Sequence, residues 1–215
     1  MKKILPILLI LFSTATFAQN WYIGVTAGPT FSNYKTKTPW KEASNIGYAF
    51  GATAYKQTSA NFGVNFGLQF IKKGYNHVIC NSITDKLNAS YLEIPIMADY
   101  TFIIPSLKNF KAHLNLGFYS AYWLSGKYET KSSDPKVIDS STETLDFKKS
   151  GASRFDIGPN GGARIEYILK NGSLSLDARY ELGLIDLQKQ VNDNSSNTNR
   201  AWVIGISYMK LLEKK

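Results

Sequence analysis

Residues 62–70 read Phe-Gly-Val-Asn-Phe-Gly-Leu-Gln-Phe. Phe62, Val64, Phe66, Leu68 and Phe70 alternate with Gly63, Asn65, Gly67 and Gln69. Successive side chains of a strand point to opposite faces, whereas a helix would scatter both sets around its surface. The stretch is therefore a strand with one bulky apolar face and one small polar face. Which face points inward decides the fold.

The same period recurs along the chain. It predicts eight strands, at roughly 21–31, 47–55, 62–72, 90–102, 111–124, 154–168, 173–185 and 200–209. The connections alternate in length. Long ones fall at 32–46, 73–89, 125–153 and 186–199, and short ones at 56–61, 103–110 and 169–172. Short turns at one end and long loops at the other are the pattern of a transmembrane β-barrel. The segment Lys127–Ser150 mixes both charge signs with Ser and Thr and reads as a mobile loop.

An eight-stranded barrel has an interior just wide enough for side chains to fill. Gly24, Thr26, Gly51, Thr53, Gly63, Gly67, Gly117, Gly162 and Gly205 suit that space, and the Phe, Leu, Ile and Tyr set would overfill it. The apolar face is therefore outside. A continuous apolar band of that size does not persist in water, so its surroundings are lipid. The outward positions assigned in this way hold no Asp, Glu, Lys or Arg, and Ser120 is the one clearly polar residue. Aromatics gather near both ends. Trp21, Phe62, Phe102, Tyr167 and Tyr208 fall on the short-turn side, and Tyr48, Phe70, Tyr122, Phe155 and Trp202 on the long-loop side. Two such girdles are expected at the two lipid–water boundaries. The fold expected is all-β: an eight-stranded antiparallel up-and-down transmembrane barrel in an outer membrane.

The inward face of the later strands carries Glu93, Asp99, Asp156, Arg164, Glu166, Asp177, Arg179 and Glu181, with His113 close by in the pattern. In a narrow lumen, arginine and carboxylate form charge-assisted, bidentate hydrogen bonds. The structural reading is a polar network that satisfies itself and closes the barrel. The functional reading is a charge-lined path for ions or solutes. Two arginines face six carboxylates, so some carboxylates must find water, hydroxyls, lysines or protons.

Residues 1–18 have the form of a secretory signal. Met1-Lys2-Lys3 is basic, Ile4–Phe12 is apolar, and Thr16 and Ala18 suit a cleavage site. The apolar stretch is too short for a membrane-spanning helix, which needs roughly 20 residues. Residues 19–215 then form a single barrel domain. Aromatics at 13% and charged residues at 19% exclude a disordered chain, and a single cysteine, Cys80, excludes an internal disulfide. The net charge of +9 comes from scattered lysines, which gives no stripe for nucleic acid.

Tyr91-Leu92-Glu93-Ile94-Pro95 resembles the YLEIP motif of PorT-family outer-membrane β-barrel proteins. Phe155-Asp156-Ile157-Gly158 with Glu166-Tyr167 is similar to that family's sixth strand. Ala178–Asp186 is similar to its seventh, and Asn199-Arg200 precedes the last strand as it often does there. The resemblance implies an integral outer-membrane barrel. Its name-giving member is linked to type IX protein secretion, which points to an envelope or secretion-complex protein as partner beside the membrane lipid. No catalytic residues are known for the family, so none transfer. One departure concerns the terminus. Outer-membrane barrels usually end on an aromatic, whereas here Tyr208 is followed by Met209–Lys215, read as a short periplasmic tail.

Catalytic and metal motifs are lacking. There is no HExxH, CxxC or phosphate-cradling loop, and no cofactor is expected. His77 reads as a solvated loop residue and Cys80 as a loop thiol. His113 and Ser120 fall on opposite faces, which argues against a nucleophile–base pair. The leading reading is a non-enzymatic envelope component. A small passive pore, an outer-membrane lipid-modifying enzyme and a soluble lipocalin-like carrier are the alternatives.

Overall fold

The computed structural model describes residues 20–35, 41–80, 83–103, 105–132, 141–150, 152–187 and 197–212. The signal-like segment 1–18 lies outside them. The strands are β1 (Trp21–Lys35), β2 (Lys41–Ala43), β3 (Asn45–Gln57), β4 (Phe62–Cys80), β5 (Ile83–Ile103), β6 (Phe110–Ser132), β7 (Ser141–Thr144), β8 (Phe155–Leu169), β9 (Gly172–Leu182) and β10 (Thr198–Leu212). A four-residue helix, α1 (Phe147–Ser150), follows β7.

Eight of these strands close a ring. Each pairs antiparallel with its neighbours in the order β1, β3, β4, β5, β6, β8, β9, β10, and β10 returns to β1. Stepping round paired positions from Ile165 passes Leu176, Ile206, Ala27, Phe50, Phe70, Leu92 and Tyr122. It comes back to β8 at Phe155, ten residues from where it began. For eight strands, that stagger means a tilt of roughly 40° and a lumen that side chains can fill. Closure also leaves no unpaired edge among these strands in hydrocarbon.

The bulky face is outside. Val25, Phe118 and Leu116 are 62%, 63% and 72% exposed, whereas inward-facing Glu93 and Asp99 are buried. This arrangement overturns the soluble-carrier reading, since a carrier would turn the apolar set inward. All ten predicted girdle residues lie on the outer wall, several in ring contact: Phe110 with Tyr167, Tyr122 with Phe155, and Tyr48 with Phe70. Most of the strands are longer than the sequence predicts, although β9 stops at Leu182, and the wall also turns Lys56, Lys72 and Lys210 outward.

Length is where the sequence reading needs correction. The spacing predicts a loop over residues 73–89. Instead β4 runs to Cys80 and β5 starts at Ile83, so the pair stands beyond the barrel as a hairpin. Residues 127–132 likewise continue β6 rather than entering a mobile loop, and β7 pairs with them. With β2 against β4, these strands make a sheet projecting from the long-loop end. Cys80 closes β4 rather than sitting in a loop. At the other end β10 runs on to Leu212 opposite Trp21, so residues 209–212 are strand and not tail. The hairpin is hidden in the sequence because Lys72, Lys73, Asn76 and His77 interrupt the apolar alternation with polar residues.

A bulge lies where the barrel wall passes into that sheet. Ser90 pairs with Ser125 and Tyr91 with Trp123, leaving Leu124 as the extra residue of β6. One extra residue reverses the facing of the rest of β6 beyond it. Above it, Gly126 and Tyr128 come opposite Ala89 and Leu87. The inner side of the sheet then has its own apolar core of Tyr34, Ile71, Tyr75, Leu87, Tyr91, Trp123, Leu145 and Leu187. His77 belongs to this packing. It is buried and stacked on Tyr75 at 4.4 Å, not solvated. Trp123 is fully buried, stacked on Tyr91 at 5.5 Å and edge-on to Phe147 at 5.2 Å. Trp123→Ala is expected to cost about 3–5 kcal/mol locally. Limited proteolysis should then cut the projecting sheet while the barrel keeps its heat-modifiable electrophoretic mobility.

Candidate functional site

The lumen is built in layers from alternate residues of the eight strands. Nearest the short turns, β5 supplies Asp99 and Thr101, β6 supplies His113, and β8 supplies Arg164 and Glu166. His113 Nδ1 lies 2.7 Å from Asp99 Oδ1, and its Nε2 lies 3.1 Å from Glu166 Oε2. Arg164 Nη2 donates to Asp99 Oδ2 at 2.9 Å. Both ring nitrogens of His113 face carboxylate oxygens, and Arg164 Nη2 also lies 3.1 Å from Nδ1. Arg164 and His113 thus meet Asp99, and His113 reaches on to Glu166. Tyr55 lies beneath the Arg164 guanidinium, 5.3 Å from it, and a Cβ at Gly63 would run into the Tyr55 ring.

The upper layer centres on a residue that the sequence reading leaves in a loop. Lys73 of β4 points into the barrel and is fully buried. Its Nζ lies 2.5 Å from Glu93 Oε2 and 2.6 Å from Glu181 Oε2, so one ammonium bridges β5 and β9. Arg179 Nε donates to Glu181 Oε1 at 2.8 Å, and Gln69 Nε2 donates to Glu93 Oε1 at 2.5 Å. The Tyr119 ring sits 4.4 Å from the Lys73 ammonium. Four charges in this layer balance, two of each sign. Isolated ions would lose several kcal/mol each on leaving water, and the close partners offset that loss.

Two carboxylates remain outside these layers. Asp156 accepts from Asn199 Nδ2 at 2.7 Å and from Tyr119 Oη at 3.0 Å. Asp177 accepts from Ser207 Oγ at 3.4 Å and lies 3.8 Å from Arg179. Between the layers is a cavity of about 30 Å³ lined by Thr26, Asn65, Asn115, Asp177 and Arg179, roughly the space of two waters. The apolar core of the projecting sheet covers the upper layer, where Tyr34 Oη and Tyr91 Oη meet at 3.2 Å. Farther out, Tyr75 Oη donates to Asp85 Oδ2 at 3.2 Å. Burial, with the Asp85 charge second, pushes the Tyr75 hydroxyl well above its usual range.

The structure thus places all eight inward charges named from the sequence in the lumen, six of them in the two layers and Asp156 and Asp177 outside these, with His113 in the lower layer. Sequence reasoning misses Lys73, and with it Gln69, Tyr119 and Asn199 as partners. A signal is present. Alternation continues past Phe70, with Ile71, Lys73 and Tyr75 on the inward side. A lysine in that series reads like the end of the strand.

The sequence profile of the family described as "Outer membrane protein beta-barrel domain" matches residues 17–189. No curated protein matches the chain in sequence. Among solved structures, a major outer membrane protein of Thermus thermophilus is similar, with 13% identity and a TM-score of 0.50. The match covers 91% of this chain and 100% of that one. OprG of Pseudomonas aeruginosa is similar at 14% identity and a TM-score of 0.49, over 89% of this chain and 96% of that one. Ail, the attachment invasion locus protein of Yersinia pestis, is similar at 15% identity and a TM-score of 0.45, over 87% and 97%. With a closed ring of eight strands, an apolar outer wall and a family profile spanning most of its length, the chain belongs to the outer membrane protein beta-barrel domain family and resides in the outer membrane.

Proposed function

We propose that this protein is a non-enzymatic component of the envelope that works through its projecting sheet, not through its lumen. The observation that carries this reading is the filled interior. Two layers of paired charges flank a cavity of about 30 Å³, and an apolar core sits over the upper layer. A hydrated ion needs a continuous wet path. The sheet formed by β2, β4, β5, β6 and β7 stands clear of the membrane and offers a platform for a partner. The resemblance to PorT-family barrels makes a protein-secretion complex the first partner to seek.

Planar bilayers containing the purified protein are expected to stay silent across ±100 mV, about 2.3 kcal/mol of driving force per elementary charge. Crosslinking in the native envelope is expected to join the projecting sheet to a defined envelope protein. Discrete conductance steps that change on Arg179→Ala would replace this reading with a pore. An intact barrel that crosslinks to nothing would remove the partner.

A further inference from the structure

The lower part of the outer wall is not evenly covered. A groove of about 930 Å³ runs over Ala52 and Ala54, between Phe66 and Leu68 on one side and Tyr208 and Lys210 on the other. A second hollow of about 670 Å³ continues upward past Ala27, Phe50 and Ile206, sharing Val25, Ala52 and Tyr208 with the first. The register explains the depression. Ala54 pairs with Ile23 and Ala52 with Val25, so two alanines lie side by side with short aliphatics between taller walls. Trp21 leans toward Phe66, with ring centroids 6.4 Å apart, across the foot of the groove.

Two lysines flank that foot. Lys56 pairs with Trp21 on one side of β1, and Lys210 pairs with Ile23 on the other. The Lys56 ammonium sits 5.4 Å from the Trp21 ring. Lys108 and Lys170 add positive charge in the adjoining turns. The carboxylates at this end, Asp99 and Glu166, point into the lumen and are engaged by Arg164 and His113. An anion approaching the outer rim therefore meets cations alone among the described outward side chains.

We infer that this groove binds an anionic glycerophospholipid of the periplasm-facing leaflet. Its phosphate lies between Lys56 and Lys210, and its acyl chains lie along Ala52, Ala54 and Ala27. Short turns face the periplasm in this architecture, which sets the leaflet. Other occupants fit less well. Each strand under the groove is paired on both sides, so no peptide strand can add there. A second copy docked by two-fold symmetry would set the same lysines against each other.

The test is native mass spectrometry of the full chain, folded in a neutral detergent with dioleoyl phosphatidylglycerol or dioleoyl phosphatidylcholine added. Phosphatidylglycerol is expected to be retained at unit stoichiometry in preference to phosphatidylcholine. Lys56→Gln and Lys210→Gln should each weaken retention about fivefold. Ala52→Phe should abolish it with both lysines present. Heat-modifiable mobility confirms folding of each variant. Equal retention of both lipids, retention unchanged in the lysine variants, or a dimer lost on Ala52→Phe would each overturn the assignment.

Discussion

Lys73→Ala should lower the stability of the barrel by about 3–5 kcal/mol, the usual cost of leaving a buried charge without its partner. The substitution removes the one ammonium shared by Glu93 and Glu181, and leaves both carboxylates to Arg179. Urea unfolding in phospholipid vesicles, followed by tryptophan fluorescence, measures the loss. The combined Lys73→Met, Glu93→Gln variant removes one charge of each sign with little change in volume, and should regain most of it. Replacing a buried ion pair with well-fitted neutral groups is often close to neutral. A Lys73→Ala protein within about 0.5 kcal/mol of the parent, the range of ordinary surface changes, would mean that the upper layer does not hold the lumen together.

Leu116→Arg is the second large effect expected. Leu116 is 72% exposed and lies in the membrane band of β6 between Ala98 and Gly161. In water such a change would be near neutral. In hydrocarbon an arginine close to the midplane costs roughly 2–4 kcal/mol. Leu107 is 49% exposed but sits in the short turn between β5 and β6. Leu107→Arg should therefore be tolerated within the same unfolding measurement. Equal tolerance at both sites would contradict the outward placement of the apolar face in lipid.

Lys73 and Leu116 mark the limit of what the sequence makes legible. Leu116 can be read directly. Its side follows from counting by twos along residues 111–124, and the choice of outside follows from the width of an eight-stranded lumen. The same counting finds Glu93, Asp99, Arg164 and Arg179. Lys73 cannot be read that way. It lies one residue beyond the expected end of its strand, and a lysine there is equally at home in a loop. His77 misleads for the same reason, since an imidazole stacked on Tyr75 inside an extracellular core looks, in sequence, like a polar loop residue. The projecting sheet is hidden as well, because its strands are held by pairing with one another and by a small shared core, not by a long apolar stripe.

Residue order alone determined the period, the facing of each side chain, the number of wall strands and the lipid environment, because all of these follow from local alternation and the size of side chains. The tertiary structure decided which inward charges meet. Glu93 and Glu181 lie 88 positions apart, and only the ten-residue stagger brings them to one level, where Lys73 reaches both. It also decided that the interior is covered from above, because β4 and β5 continue past the wall and carry Tyr75, Leu87 and Tyr91 over the opening.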